Sequence, residues 1–424
     1  TIGVLGIGTM LLAFVPGSFV QSFFINLSSP SRFIVWDIAW QGIKERPLFG
    51  WGLENFQFVF LKYYQPCLGS LVCGYESWFD RTHNKVLDVL IEAGVVGLVS
   101  YLGVFVFTAK QATKAFLQEK CPPMIFVTCL TVLFAYFLQN LVSLDTATTL
   151  FYFCLILAFV SATTRESTGS VFAPHSRRRL AYQGLACLFT LLFPMIFYQS
   201  CILPLKSNTA VVDVYKEKKM ENHLAAFTNA VDGSAIGLDL RRIFLAQALG
   251  KVIANLSEKP TIAEESFLKQ ELALIQRGLE NTILTTPNFL RAYLQLGFAY
   301  QMEGRLFDAN RYQDAERIFE EAIELNPNNQ KPLWAMAGLM LEQGNAEATI
   351  AYLDAARALD PSVTRSSVNK IVALRILGEE ESLKETVASF YFLNPPEQKE
   401  IEAFLLLSQD EVLANKNRHL QIYY

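Results

Sequence analysis

The sequence is poor in charged residues. Asp, Glu, Lys and Arg make up 18% of its 424 residues, against about 25% in soluble globular chains. Hydrophobic residues reach 52%, and the mean hydropathy is +0.26. The 7 cysteines include no Cys-x-x-Cys pair of the kind that marks a zinc site. This composition argues against a typical soluble enzyme and predicts a membrane protein.

Basic residues are also sparse in the second half of the chain. Residues 204–424 hold 23 Lys and Arg against 30 Asp and Glu, a net charge of −7. Such a balance excludes the basic surface that nucleic-acid binding requires. We therefore expect this half to be a soluble acidic domain without nucleic-acid partners.

Five apolar runs are long enough to be considered as membrane spans, since about 20 residues cross a bilayer. They cover roughly residues 2–24, 86–108, 124–144, 148–163 and 180–203. The fourth is short enough to be a tilted or half-buried helix instead. No basic segment precedes the first run, so it is not a signal peptide, and we expect earlier spans upstream of Thr1.

Basic residues in short loops predict the orientation of the spans. The segments KQATKAFLQEK (110–120) and RESTGSVFAPHSRRR (165–179) carry three lysines and four arginines. Both are predicted to be cytoplasmic. Alternation then places residues 25–85 and everything after about 204 outside the cytoplasm. Cys67 and Cys73 share the outer loop and can form a disulfide if that loop is extracytoplasmic.

A repeat organises the C-terminal half. Asn-Pro or Asp-Pro recurs at Pro327, Pro361 and Pro395, at intervals of 34 residues. The stretch AYLQLGFAYQMEG, followed by YQDAERIFEEAIELNP, resembles a tetratricopeptide repeat. The matching residues are Leu296, Gly297, Tyr300, Gly304, Ala315, Phe319, Ala322 and Pro327. A surplus of six residues is assigned to LFDANR (306–311) at the turn between the two helices, and a weaker unit is expected at about 240–287.

The fold class predicted from these patterns is all-α. A polytopic helical membrane domain (1–203), whose outer loop covers about 25–85, precedes an extracytoplasmic tetratricopeptide solenoid (240–424). Residues 204–239 are read as a helical linker, with the segment 207–231 favoured as a degenerate cap of the solenoid.

The outer loop carries an ordered series of motifs. It contains Arg32 and Trp36, then PLFGWG (47–52) and Phe56, then His83-Asn84 ahead of Glu92, Gly94 and Gly97. In this order, between apolar runs, the motifs resemble the O-antigen ligase and polymerase superfamily of bacterial membrane glycosyltransferases. The likeness covers about residues 25–105, and 106–203 only as hydropathy.

The resemblance implies transfer of a glycan from undecaprenyl pyrophosphate to an acceptor hydroxyl at the outer face of the bacterial cytoplasmic membrane. It implies an inverting reaction that uses no metal ion and no cofactor. The acceptor can be a lipid, a growing glycan in a polymerase, or a Ser or Thr in a secreted protein. The repeats add a protein partner. The alternative outside enzymology is a membrane-anchored tetratricopeptide scaffold for envelope assembly.

Two kinds of side chain suit this chemistry. Arg32 and Arg81 offer forked permanent cations for the pyrophosphate, whereas Arg46 is the weaker candidate. His83, the only histidine of the outer loop, suits proton transfer from the acceptor hydroxyl. Each of these residues also has a structural interpretation. Arg81 can form a solvent-exposed pair with Asp80, Arg32 can place a charge in the first turn of a helix, and His83 can satisfy the hydrogen bonds of a local turn.

The remaining candidates for substrate binding are Asn84, Asp88 and Glu92. Asn84 is expected to shape a helix start more than to contact substrate. Asp88 and Glu92 lie four residues apart and so share a helix face, which we expect to line the active cavity, with Glu92 pairing an arginine or orienting His83.

The aromatic and turn residues of the loop are predicted to have structural roles. Trp36 and Trp40 are read as interfacial anchors. Pro47, Gly50 and Gly52 are read as a tight re-entry turn, since glycine adopts positive φ at low cost.

Overall fold

The computed structural model describes residues 30–76, 78–141, 143, 145–164, 176–216, 220–254, 261–393, 395 and 397–414. All regular secondary structure in these residues is helical, which confirms the all-α prediction. The chain divides into two units, residues 1–171 and 172–424. The predicted first span, about 2–24, lies outside the described residues.

The described part of the first unit begins with residues 30–84, called the outer segment because the sequence predicts them to lie outside the cytoplasm, and continues into long apolar helices. Its elements are α1 (Pro30–Glu45), α2 (Phe56–Lys62), a 3₁₀ turn (Pro66–Gly69), α3 (Lys85–Leu117), α4 (Pro123–Asn140) and α5 (Ala147–Thr164).

An aromatic-rich core holds the outer segment together. Val35, Ile38 and Ala39 on one face of α1 are fully buried. They belong to one cluster with Phe60 of α2 and Ile91 of α3. Burying a side chain of this size stabilises the fold by about 1.5–3 kcal/mol, so this cluster fixes α1 against the first turns of α3.

The disulfide that the sequence left open is present. Cys67 and Cys73 are bonded, with 5.7 Å between their Cα atoms, and close the loop that follows α2. The Leu68 side chain inside this loop is fully buried in the same core. The loop is therefore a folded part of the outer segment.

Three helices of the described chain are long and apolar enough to span a membrane: Lys85–Leu117, Pro123–Asn140 and Cys187–Lys216. The helix at Thr148–Ala162 is apolar but shorter, in keeping with the short fourth run. Because α3 continues to Leu117, the first lysines of the predicted cytoplasmic loop lie on the last turns of that helix.

The second unit begins with a long helical segment and continues into stacked helix pairs. Its elements are α6 (Ser176–Phe197), a π-helical turn (Tyr198–Ile202), α7 (Leu203–Lys216), α8 (Met220–Val231), α9 (Leu238–Ala254), α10 (Ile262–Thr285), α11 (Leu290–Leu306), α12 (Arg311–Leu325), α13 (Gln330–Glu342), α14 (Ala346–Leu359), α15 (Thr364–Leu377), α16 (Glu380–Phe392), α17 (Gln398–Leu405) and α18 (Gln409–Ala414).

The helix that contains the last apolar run continues past residue 203, where the sequence analysis ended the run. Pro194 lies inside α6 and removes one backbone donor from the helical ladder. The π-helical turn at 198–202 follows one turn later and leads directly into α7. A local π turn absorbs a register change without ending a helix, so the helix continues to Lys216.

The repeat prediction is confirmed as three helix pairs, α11–α12, α13–α14 and α15–α16. Each pair ends just before one of the periodic prolines, as expected from the missing N–H of proline. The surplus residues of the first repeat are divided between a longer α11 and the turn at 307–310. The helices α9 and α10 form a further pair where the weaker unit was expected.

Two adjacent buried arginines join α7, α8 and α9. Arg241 donates through Nε to the carbonyl of Ala230, at 3.1 Å, and through Nη1 to Asn208 Oδ1, at 3.2 Å. Arg242 donates through Nε to the carbonyl of Val231, at 3.0 Å. These bonds satisfy carbonyls at the end of α8 that the helix itself leaves open. They fasten the extension of the last span to the start of the array.

We predict that Arg241→Ala lowers the stability of this junction by about 3 kcal/mol, because several buried carbonyls lose their donor. Hydrogen–deuterium exchange of the full chain in detergent should show faster exchange across residues 203–254. Arg277→Ala is the matched control, since Arg277 is a largely exposed arginine that pairs with Asp232. Equal exchange in the two variants would contradict the prediction.

Candidate active site

A break in α3 is the central feature of the outer segment. Gly94 has φ +64° and ψ −163°, far outside the helical region, although residues on both sides are helical. The break leaves the Ile91 and Glu92 carbonyls and the N–H groups of Val95 and Val96 without their usual helical partners. In an apolar surrounding, each such group must find another partner.

The turn at 47–52 supplies those partners. The N–H of Trp51 donates to the Ile91 carbonyl, at 2.6 Å, and the N–H of Gly52 to the Glu92 carbonyl, at 3.0 Å. In the opposite direction, the Val95 N–H donates to the carbonyl of Pro47, at 2.8 Å. A tight turn is present at the predicted place, and it packs into the gap in the helix.

This docking requires glycine on both sides. A Cβ atom on Gly94 would lie 2.2 Å from the carbonyl oxygen of Leu48, and one on Gly50 would lie 2.4 Å from that of Ile91. Both glycines also have positive φ, which other residues adopt at a cost. The contact between the turn at 47–52 and the break in α3 thus explains why glycine occupies both position 50 and position 94.

Trp51 anchors the turn from the other side. Its indole Nε1 donates to the carbonyl of Gly42 in α1, at 3.0 Å. The guanidinium of Arg46 lies over the indole ring, 4.1 Å from its centre, a cation–π contact. Arg46 therefore packs on the turn. The sequence analysis ranked it below Arg32 and Arg81 as a candidate for pyrophosphate binding.

Glu45, the last residue of α1, forms an ion pair with Lys62. Lys62 Nζ donates to Glu45 Oε1, at 2.7 Å, and Tyr63 Oη donates to Glu45 Oε2, at 2.8 Å. The Lys62 hydrogen bond, together with that of Tyr63, holds the pKa of Glu45 below its ordinary value. The carboxylate is therefore charged at neutral pH and fixes α2 to the end of α1.

The His83 loop is fixed by hydrogen bonds on both sides of the histidine. Asn84 is the N-cap of α3, since its Oδ1 accepts from the N–H groups of Val86, at 3.0 Å, and Leu87, at 3.2 Å. The expectation that Asn84 shapes the helix start is confirmed. Thr82 donates through its N–H and its Oγ1 to Asp88 Oδ1, at 2.9 and 2.7 Å.

His83 itself has an uncommon backbone conformation. Its φ is +55°, a left-handed value that non-glycine residues rarely adopt and that costs about 1–3 kcal/mol. The imidazole is half-buried and lies edge-on to the Phe79 ring, with 5.8 Å between ring centres. The imidazole nitrogens make no hydrogen bond to any described residue, so they are available to bind a substrate.

Trp36 connects α1 to the same loop, a contact that the sequence analysis did not predict. Its Nε1 donates to the carbonyl of Thr82, at 2.9 Å. Arg32 lies four residues earlier and so shares a face of α1 with Trp36. Trp40 remains 51% exposed and fits the anchor reading better.

A chain of contacts runs from Glu92 to Arg81. Glu92 Oε1 accepts from the backbone N–H of Glu54, at 3.2 Å. The Glu54 carboxylate in turn pairs with Arg81, with 2.6 Å between Oε1 and Nη2. Glu92 thus reaches an arginine through Glu54, whereas the sequence suggested a direct pair or a contact with His83.

The two predicted carboxylates have different surroundings. Asp88 is 5% exposed, and its Oδ1 is occupied by the donors of Thr82, so it positions the His83 loop from within the protein. Glu92 is half-buried and holds the turn through Glu54. Both carboxylates of this helix face thus bind protein groups, and the lining of an active cavity by this face stays a prediction.

Sequence reasoning missed Glu54 and underrated Thr82 and Trp36. Nothing in the local pattern marks Glu54, because its partners lie 27 and 38 residues further along the chain. Thr82 carries a weak signal as a hydroxyl two residues before a helix cap. For Trp36, the available signal is its position one turn after Arg32.

Gly94→Ala is predicted to destabilise the first unit by about 3 kcal/mol, through backbone strain and displacement of the turn. The readout is thermal unfolding of the purified chain in detergent. Gly103→Ala is the control, because no atom lies within 4 Å of a Cβ added at Gly103 in the same helix. An unfolding midpoint of Gly94→Ala equal to that of the control would refute the role of the break.

Comparison with known protein families agrees with this geometry. Residues 2–102 match the family described as O-antigen ligase, and residues 306–367 match the tetratricopeptide repeat. No curated protein and no solved structure matches the chain significantly. The chain thus combines a region that matches the O-antigen ligase family, and helices apolar enough to span a membrane, with a C-terminal array of tetratricopeptide repeats.

Proposed function

We propose that the protein transfers a glycan from undecaprenyl pyrophosphate to an acceptor hydroxyl at the outer face of the bacterial cytoplasmic membrane. The observation that carries the proposal is the His83 loop. It is held from both sides by Asp88, Asn84 and Trp36, while the imidazole bonds to none of the described residues. A fixed backbone and an available side chain are what a proton-transfer group requires.

The reaction is a displacement at the anomeric carbon of the donor sugar. The acceptor oxygen forms the new glycosidic bond as the bond from that carbon to the pyrophosphate oxygen breaks. The electron pair of the broken bond leaves on undecaprenyl pyrophosphate, and the acceptor proton passes to an imidazole nitrogen of His83. Attack opposite the leaving group inverts the anomeric configuration.

Arg32 and Arg81 would stabilise the leaving group. A guanidinium is permanently charged and matches the fork of phosphate oxygens. Arg81 is held by Glu54, which leaves part of its fork for a ligand. We assign Arg32 as the first pyrophosphate contact because it lies on the face of α1 that also holds the His83 loop.

The reaction as proposed uses no metal ion, because the two arginines and the histidine supply charge stabilisation and proton transfer. The acceptor remains a choice between lipid, growing glycan and the hydroxyl of a protein. The ligase activity is the primary proposal, and polymerase or protein O-glycosylation activity is the alternative within the same chemistry.

The decisive experiment compares the wild type with His83→Ala and Arg32→Ala in a host that makes a defined undecaprenyl-linked glycan. We expect a loss of transfer of at least a hundredfold in each variant, as typical for removal of a general base or a charge-stabilising group. Gel shift and mass spectrometry of the lipid and protein fractions would identify the acceptor.

His223→Gln and Arg277→Ala are the controls for this experiment, because both residues lie in the second unit, within 172–424. Transfer that persists in His83→Ala and Arg32→Ala at wild-type expression would refute the proposal. It would leave the non-enzymatic scaffold as the explanation of the fold.

Thr82→Val tests whether the loop positions His83. The variant removes the hydroxyl that donates to Asp88 but keeps the backbone N–H. We predict a roughly tenfold lower rate of transfer, the effect of one hydrogen bond to a buried charge, with an unchanged KM for the donor. Thr82→Ser should restore the rate. A higher KM with an unchanged rate would instead assign Thr82 to substrate binding.

A further inference from the structure

Exposed apolar side chains cluster where the turn at 47–52 meets α3. The turn and the residue after it contribute three side chains that are 61, 74 and 76% exposed: Leu48, Phe49 and Leu53. The adjoining part of α3 contributes three valines that are 45, 50 and 65% exposed: Val95, Val96 and Val99. We call these six side chains the turn patch. Apolar side chains that cluster on a surface mark a contact with an apolar partner.

The charge pattern of α3 places the valines of the turn patch at membrane depth. Between Glu92 and Lys110, the helix carries no charged side chain. These 17 residues rise about 25 Å at 1.5 Å per residue, whereas the hydrocarbon core of a bilayer is about 30 Å thick. A bilayer crossing by α3, which is long and apolar enough for one, therefore uses the whole uncharged stretch.

The turn lies at the same depth because its backbone is bonded to that stretch. The Leu48 carbonyl accepts from the N–H of Val96, at 3.3 Å, and the preceding carbonyl of Pro47 accepts from the next N–H towards the break. A Cβ atom on Gly94 would lie 2.2 Å from the Leu48 carbonyl oxygen, so no space separates the turn from the helix. These bonds pair main-chain groups of both segments, as an apolar surrounding requires.

Side chains typical of the membrane–water interface border the turn patch. Trp51 ends the run of exposed apolar residues in the turn, and the guanidinium of Arg46 lies 4.1 Å from the centre of its ring. The Lys62 ammonium lies 5.7 Å from the same ring and 5.6 Å from the ring of Tyr63. Trp and Tyr are enriched at the level of the lipid headgroups, where Lys and Arg reach the phosphates. Arg46 forms no ion pair within the described part of the chain.

We propose that the turn at 47–52 inserts Leu48, Phe49 and Leu53 among the acyl chains of the bilayer leaflet at the start of α3. The Arg46 guanidinium then lies at the level of the phospholipid phosphates. The partner is lipid because the turn patch continues the part of α3 that crosses the hydrocarbon, and because its border carries interfacial side chains. The outer segment is thereby anchored in lipid beside the His83 loop, whether or not it transfers a glycan.

The insertion is tested on the full chain in nanodiscs of phosphatidylcholine and phosphatidylglycerol. One fluorescent amino acid is introduced by stop-codon suppression, either at position 49 or at position 392. Phe392 is the matched control, because it is a 91% exposed phenylalanine outside the candidate spans. Phosphatidylcholine brominated on its acyl chains quenches fluorophores that touch those chains, and iodide quenches fluorophores in water. We expect the brominated lipid to quench position 49 only and iodide to quench position 392.

Fluorescence at position 49 that the brominated lipid leaves unchanged would overturn the proposal, and iodide would then identify the surroundings of the turn. Quenching by iodide would place the turn in water. Resistance to both quenchers would assign the turn patch to a protein cover, such as the apolar run at 2–24 or a second copy of the chain. Equal quenching of positions 49 and 392 by the brominated lipid would also overturn it.

The contact of Arg46 with phosphate is tested by the lipids that the full chain retains, counted by native mass spectrometry after release from the same nanodiscs. Arg46→Gln should lower the preference for phosphatidylglycerol over phosphatidylcholine roughly fivefold, the effect of one basic residue at an anionic membrane surface. Arg46→Lys should keep the preference. Lys269→Gln is the control, because this lysine is exposed and pairs with Glu265 within its own helix. Equal preference in Arg46→Gln and the wild type would overturn the assignment of Arg46.

Discussion

The outer segment depends on one backbone contact, in which the turn at 47–52 fills the break of α3 at Gly94. A helix in an apolar environment cannot leave carbonyls and N–H groups unpaired, so the break exists only because the turn pairs them. The same hydrogen bonds hold the turn in place. The glycine motif at 47–52 and the one around Gly94 therefore depend on each other, and together they bring α1 against the start of α3.

That contact also sets the position of the charged side chains. By docking on α3, the turn brings the backbone of Glu54 to the carboxylate of Glu92, and the Glu54 side chain to Arg81. The histidine loop is held separately, through Thr82 and Asp88, at the first turns of the same helix. Polar groups that would be costly in an apolar setting are thus paired with one another, and the imidazole of His83 stays available.

The second unit connects a long apolar helix to the helix pairs of the solenoid. The π-helical turn after Pro194 allows the helix to continue as α7. Buried guanidinium groups of Arg241 and Arg242 then cap α8 and hold it to its neighbours. The repeats that follow are regular helix pairs, each of which ends just before one of the periodic prolines.

The sequence alone determined the helical class, the repeat period, the cap at Asn84 and the glycine turn, because each depends on residues close together in the chain. The tertiary structure decided the role of Trp36, whose partner is 46 residues away, and of Glu54, whose partners no pattern marks. It also showed that Asp88 supports the histidine loop through its hydrogen bonds with Thr82. Local patterns specify elements, whereas the pairing of side chains depends on which elements pack together, and only the folded chain defines that packing.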